Sequence, residues 1–137
     1  MIAYRQFGIE RIEEVYRIYE ENGWTSYLGD KEKLIRAFER SSFLLGAFDE
    51  DRLIGFVRCV GDGEYIVHVQ DLILLPAYRR QGIGRQLMKQ TSDHFPAVRQ
   101  FMLITDRDDE TANAFYRAIG LTEDFNGYPI NHYFRKG

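Results

Sequence analysis

The chain has 137 residues, of which 45% are apolar, 15% aromatic and 28% charged. That apolar content can fill a core, which excludes a disordered chain, and three prolines are too few for a Pro-rich linker. With 18 Lys and Arg against 21 Asp and Glu the formal charge is −3, which suits neither non-specific nucleic-acid binding nor an acidic membrane surface, and no apolar run approaches the roughly 20 residues of a membrane span. The length predicts one domain over residues 1–137. A single cysteine, Cys59, excludes an internal disulfide framework and any multi-cysteine metal site. With no long apolar stretch at residues 1–5 to serve as a signal sequence, the expected location is the cytoplasm.

A first strand is expected over residues 2–7. Ile12, Val15, Tyr16 and Tyr19 recur at helical spacing, and Asn22-Gly23 ends that helix. A loop follows with two large aromatics, Trp24 and Tyr27, and Asp30 is placed to cap a second helix whose inward positions are Leu34, Ile35 and Phe38. Residues 43–48 and 53–60 read as an antiparallel hairpin turning at Asp49-Glu50-Asp51. After Gly61-Asp62-Gly63 comes a longer strand over residues 65–75. Its polar positions change parity, from His68 and Gln70 to Asp71, which predicts a β-bulge. Pro76 stops this strand. A third helix with inward Ile83, Leu87, Thr91 and Phe95 follows, ended by Pro96. Residues 101–105 form a short strand parallel to the previous one, because a helix joins them. An acidic start at residues 106–110 leads a fourth helix with Ala112, Phe115, Tyr116 and Ile119 on one face and Gly120 at its end. Short strands are expected at 121–125 and 132–134. The order β-α-α-β-β-β-α-β-α-β-β is an α+β (mixed α/β) fold around a mixed sheet.

The segment Arg79-x-x-Gly82-x-Gly84 lies between a strand and a helix. Glycines let an anion approach the backbone, the free N–H groups of a helix's first turn point at it, and Arg79, Arg80 and Arg85 add positive charge. A pyrophosphate suits such a site. A dinucleotide fingerprint fails because position 87 is Leu, and the Gly-Lys-Ser/Thr of a P-loop is absent. Taken alone, the segment is also compatible with a helix that merely begins Gly-x-Gly.

Leu72-Ile73-Leu74-Leu75-Pro76-Ala77-Tyr78-Arg79-Arg80-Gln81-Gly82-Ile83-Gly84-Arg85 resembles motif A of the GNAT superfamily of acetyl-CoA-dependent N-acetyltransferases. Asn113 to Leu121 resembles the helix that follows in that family, with its Tyr four residues before Gly. The resemblance covers nearly the whole chain and implies a GNAT-like, mostly antiparallel sheet. It implies that backbone N–H groups over Arg80, Gln81, Gly82, Ile83, Gly84 and Arg85 hold the pyrophosphate of coenzyme A. The backbone around Leu72, Ile73 and Leu74 would pair with the pantetheine arm as an added strand. Acetyl-CoA is then the co-substrate, and no metal is expected.

The same resemblance implies that Tyr116 is the general acid, since a thiolate leaving group needs a proton that a phenol still holds at neutral pH. Read from the helix face alone, Tyr116 is a core residue. In the arylalkylamine N-acetyltransferases similar strand positions carry two histidines. His68 matches the first and could relay the proton as base, its other reading being a partly buried histidine with a backbone partner; Gln70 stands at the second and cannot be a base. Asp71 is the competing base, with a hydrogen-bonded bulge residue as its other reading. Where many members have Asn seven residues before the tyrosine, this chain has Asp109, while Asn113 could contact the cofactor. The usual Gly-Phe after the helix is Gly120-Leu121 here.

Cys59 has no neighbouring base in sequence, which favours a buried structural thiol over an acyl-enzyme nucleophile. His94 and His132 are isolated, and no metal-ligand spacing exists. By resemblance, Trp24 and Tyr27 would form one acceptor wall, and Tyr128 and His132 would lie near the other. With Asp71 nearby, the pocket would suit a small amine through cation–π and ion-pair contacts. Three functions stay open: a small-molecule amine N-acetyltransferase, a protein N-acetyltransferase acting on an α-amino group or lysine, and a non-enzymatic acetyl-CoA-binding module. Members of the family are often homodimers; no interface is evident in the residues.

Overall fold

The computed structural model describes all 137 residues. They form two compact units, residues 1–104 and 105–137, each taken here in turn. The first contains β1 (Ile2–Gln6), α1 (Ile12–Asn22), α2 (Lys31–Glu39), β2 (Phe43–Asp49), β3 (Arg52–Gly61), β4 (Ile66–Leu74), α3 (Ile83–His94) and β5 (Gln100–Leu103). The strands lie in the order β1-β2-β3-β4-β5. Every neighbouring pair is antiparallel except β4 and β5, which run parallel because α3 carries the chain across.

The local signals explain most of these elements. Gly23 ends α1 at φ 70°, a left-handed cap that its missing Cβ permits. Asp30 accepts the amide of Lys33 at 3.1 Å and so caps α2. α1 buries Ile12, Val15, Ile18 and Tyr19, so the inward stripe takes in Ile18 and leaves Tyr16 only half buried. Likewise α2 buries Leu34 and Phe38, with Ile35 at the margin.

β3 is the centre of the core, with residues 53–59 all buried. Phe56 meets Tyr19 and Phe38 edge to face at ring separations of 5.6 and 5.8 Å, which puts α1 and α2 on one face. Cys59 and its partner Phe43 point to the other face, where Phe43 stacks on His94 of α3 at 4.3 Å. A sheet covered on both sides explains why β3 reads as a continuous apolar run rather than an alternating one.

The bulge expected in β4 is present. Arg58 pairs with Asp71 and Cys59 with Val69, so Gln70 is the extra residue. Burial nevertheless alternates without a break through Val67, Val69, Asp71 and Ile73. Val67 and Val69 lie on the α3 face with Cys59, whereas Asp71 and Ile73 lie on the α1 face with Arg58 and Phe56, so the bulge carries the strand's buried positions from one covered face of the sheet to the other, as the change of parity predicted.

The second unit holds α4 (Glu110–Ala118). Asp109 caps it by accepting the amide of Ala112 at 3.0 Å, and Gly120 follows at φ 99°. The short strands expected at 121–125 and 132–134 do not form. Instead Phe125 and Tyr128 exchange backbone hydrogen bonds of 3.1 and 2.9 Å around Asn126-Gly127, both at positive φ. This is the tight Asn-Gly turn that its sequence favours. Pro129 immediately after it has no amide to donate, and a ladder of one pair is too short to persist as strands.

Candidate acetyl-CoA and acceptor sites

The segment after β4 is built to leave amides free. Pro76 begins a single 3-10 turn, Tyr78 donates its hydroxyl to Asp49 at 2.5 Å, and the chain then turns through Arg80 at φ 63° and Gly82 at φ 80° into α3. Within this turn the first helical bond is from the amide of Gln86 to the carbonyl of Gly82. The six consecutive N–H groups of residues 80–85 donate to no acceptor in the chain. A Cβ at Gly82 would meet nothing within 4 Å, so its glycine serves backbone conformation and not close packing. Arg80 and Arg85 are exposed and form no ion pair with a carboxylate. Donors, a helix N-terminus and uncompensated positive charge converge on one exposed turn, and this donor set fits a pyrophosphate.

Arg79 is used differently from its neighbours. Its guanidinium donates to the side-chain oxygen of Asn22, whose amide nitrogen donates to the carbonyls of Ile18 and Leu74, each at 2.8 Å. Asn22 thus ties the end of α1 to the end of β4 and to the loop. Sequence reading used it only as a helix stop.

The pairing of β4 with β5 ends at Val69 and Leu103, while β4 runs on to Leu74. Residues 70–74 therefore have no strand partner on the side away from β3. Leu72 and Leu74 are half buried there, and Ile73 turns its side chain into the core. An edge of this kind can accept an extended ligand by strand addition.

On the α1 side, one hydrogen-bonded network joins four elements. Arg58 and Asp71 are 6% and 2% exposed, and Arg58 Nε donates to Asp71 Oδ2 at 2.7 Å. Tyr19 donates to the same oxygen at 2.9 Å, and Tyr27 donates to Oδ1 at 2.7 Å. Burial opposes the charge on Arg58, but the adjoining Asp71 carboxylate outweighs it and raises the guanidinium pKa further. Burial and the Asp71 charge together raise the pKa of both tyrosines. No buried side-chain polar atom lacks a partner.

The network continues outward. Gln70 Nε2 donates to Tyr27 Oη at 3.2 Å, and Gln70 Oε1 lies 3.0 Å from His68 Nε2. The bulge brings Gln70 and Asp71 to the same phenol. His68, Gln70, Tyr27 and Asp71 are therefore assembled together. Trp24 is 38% exposed and near-parallel to Tyr19 at 6.1 Å, and Tyr27 stacks on Tyr19 at 4.4 Å. Arg58 was not singled out from sequence, and Tyr19 stood out only as a position on the apolar face of α1. The available signal was an Arg inside the apolar run 53–60 of β3 and a lone Asp on the apolar parity of β4, the two strands of one hairpin.

In the second unit, burial followed by the charge of Asp109 pushes the Tyr116 hydroxyl up to about 12. The side chain of Asn113 is engaged inside its own loop. It donates to the carbonyls of Asp106 and Asp109 at 2.9 and 2.8 Å and accepts from Thr105 at 2.6 Å. Tyr128 is 73% exposed and His132 is exposed. Cys59 is fully buried, and desolvation pushes its thiol up to about 12, which removes the thiolate that an acyl-enzyme route would require. No group of three or more His, Cys, Asp or Glu is arranged to hold a metal ion, and no helix is long and apolar enough to cross a membrane.

Comparison with known proteins agrees with this architecture. The chain aligns over its full length with a GNAT-family acetyltransferase of Streptococcus pneumoniae TIGR4, at 36% identity and a TM-score of 0.85, covering 98% of that structure. The fold is shared with a PaiA N-acetyltransferase of Thermoplasma acidophilum solved in complex with coenzyme A, at 22% identity and a TM-score of 0.72 over 88% of this chain and 89% of that one. A mycothiol acetyltransferase of Corynebacterium efficiens is 28% identical over 75% of this chain and 35% of its own length. The chain spans between 28% and 66% of the lengths of the curated relatives it matches. The sequence profile of the acetyltransferase (GNAT) family matches residues 9–121, and the chain belongs to that family.

Proposed function

We propose that this chain transfers an acetyl group from acetyl-CoA to a primary amine of a small molecule, by direct attack in a ternary complex. The observation that carries the reading is the run of six unsatisfied amides at residues 80–85, next to a β4 edge that is unpaired over residues 70–74. Those amides would bind the pyrophosphate, with Arg80 and Arg85 adding charge, and the backbone of Leu72 and Leu74 would hold the pantetheine arm. Acetyl-CoA supplies the activated acyl thioester. The chain's own task is to manage two protons. His68 removes one from the incoming ammonium, directly or through water, because only the free amine has a lone pair. Tyr116, whose raised pKa keeps it protonated throughout the neutral range, donates one to the departing sulfur.

The occupied oxygens of Asp71 favour a supporting part over direct contact with the amine. The engaged amide of Asn113 likewise favours holding the start of α4. Trp24 and Tyr27 remain the proposed acceptor wall. The inaccessible Cys59 favours direct transfer over a covalent intermediate. The family match runs through both compact units, which supports reading residues 1–137 as one catalytic domain, and the unpaired thiol fits a cytoplasmic setting.

Thermal unfolding with and without acetyl-CoA, followed by thiol release against an amine panel and lysine-bearing peptides, tests the proposal. At one hundred times its dissociation constant a ligand stabilises by about 2.7 kcal/mol, a shift of several degrees. A shift with thiol release on free amines supports the reading, and release only on peptides replaces it with protein acetylation. A shift with no release across both sets favours a binding module.

A further inference from the structure

We propose that the buried Arg58–Asp71 pair sets the tautomer of His68 from a distance, with Tyr27 and Gln70 as the connecting positioning residues. The argument is a count of protons along a chain of short contacts. Asp71 accepts from Arg58 Nε and Tyr19 Oη at Oδ2 and from Tyr27 Oη at Oδ1. All three neighbours are donors, and the guanidinium at 2.7 Å keeps this carboxylate in the accepting form. Tyr27 has one hydroxyl proton, and Asp71 takes it.

The phenol oxygen of Tyr27 can then only accept, so the group that Gln70 turns toward it must be its NH2. The reverse orientation would set a carbonyl against a phenol oxygen whose only proton is already committed. Gln70 must therefore present Oε1 to His68, at 3.0 Å from Nε2. A carbonyl oxygen only accepts. His68 consequently carries its proton on Nε2 and keeps the lone pair on Nδ1.

This rests on the proposed function, in which His68 takes the proton of the acceptor amine, and adds that Nδ1 is the nitrogen that receives it. It also gives Gln70 a purpose. A glutamine is no base, but it is an amide that can pass a donor–acceptor direction across the bulge. Arg58, Asp71 and Gln70 act through His68 and do not touch the reacting atoms, while Tyr27 passes the direction on through its hydroxyl and keeps its ring in the proposed acceptor wall.

The test is nitrogen NMR of the His68 ring in the full-length chain, recorded at alkaline pH. The wild type is expected to hold one form, protonated at Nε2. Asp71→Asn keeps the shape but inverts the chain of donors. Its amide oxygen serves Arg58 and Tyr19, and its NH2 faces Tyr27, whose proton must then go to Gln70. The Gln70 amide turns over, and the tautomer ratio of His68 inverts to Nδ1–H. An Asp71→Asn variant with the wild-type tautomer overturns the proposal. If Asp71→Asn does not fold, Tyr27→Phe replaces it: the loss of the single form and a mixture of both is expected, and an unchanged single form overturns the proposal. The base assignment is read separately. If His68→Ala leaves the acetylation rate unchanged, the mechanism fails at His68 while the tautomer inversion still stands.

Discussion

In the proposed mechanism, the leaving-group half rests on Tyr116. Removing only its hydroxyl, in Tyr116→Phe, should lower kcat by about 10²–10⁴-fold, the usual range for losing a general acid. The dissociation constant of acetyl-CoA should change little, because the hydroxyl acts on the developing thiolate. Thiol-release kinetics and a binding titration on the same variant check both halves. Arg58 makes an energetic prediction. Arg58→Ala leaves a carboxylate 2% exposed without its cation, and breaking a buried pair in this way costs about 3–5 kcal/mol. Urea unfolding measures it. The double variant Arg58→Met, Asp71→Leu should lose much less than the two single changes added together, since neither charge is then stranded. Cys59 should not react with a thiol reagent until the chain unfolds, as its burial and raised pKa both withhold the thiolate; labelling in the native state at neutral pH contradicts this.

At the scale of elements, the loop into α3 is where backbone conformation bears on the proposed acetyl-CoA binding. Gly82 sits at φ 80° with open space around its Cβ position. Gly82→Ala therefore meets no clash but must hold a left-handed conformation, at about 1–2 kcal/mol. The variant should melt a few degrees lower and bind acetyl-CoA more weakly, as the amides at residues 80–85 lose their common direction. Unchanged affinity measured by calorimetry would argue that these amides are not the anion site. The glycines, the arginines and the strand before them were legible because the loop's chemistry is local. The bulge at Gln70 was legible as a break in polarity, although its meaning was not. The strand does change faces there, and the change sets a carboxylate opposite a cation of the neighbouring β3. The tail strands misled because aromatic residues at 125, 128, 133 and 134 suggest β-structure. Pro129 and a two-residue turn leave them no ladder to join.

For the whole molecule, the titration behaviour of the buried groups predicts an alkaline limit to stability. Cys59 and Tyr116 are both held at about 12, above ordinary values of 9.0 and 10.0, and Tyr19 and Tyr27 are raised as well. A group whose pKa is higher in the folded chain binds its proton more tightly there. Its contribution is complete below the unfolded value and is lost as pH rises toward the folded one. Melting temperature should therefore hold from neutral pH to about 9 and fall steadily between about 9 and 12. Replacing Cys59 with Ala should flatten the first part of that fall. A melting temperature that stays level through this window would show that these hydroxyl and thiol groups are not desolvated as described.

The sequence by itself determined the helices through their spacing and caps, the central strands through their apolar runs, and the candidate anion-binding turn through two glycines and its arginines. These are properties of neighbours in the chain, where periodicity of 3.6 or 2 and the conformational freedom of glycine act over a few residues. The tertiary structure alone decided the partners. Arg58 finds Asp71 across a bulged register, 13 residues away, and Tyr19 and Tyr27 reach the same carboxylate over 52 and 44 residues. Asn22 joins Leu74 and Arg79 over 52 and 57 residues. Which polar groups meet in a core depends on strand register and on how helices lie against the sheet, because a buried donor must have an acceptor wherever the fold brings one. For that reason a family resemblance could suggest His68 as a base, while the proposal for which of its nitrogens stays free rests on contacts that only the assembled network supplies.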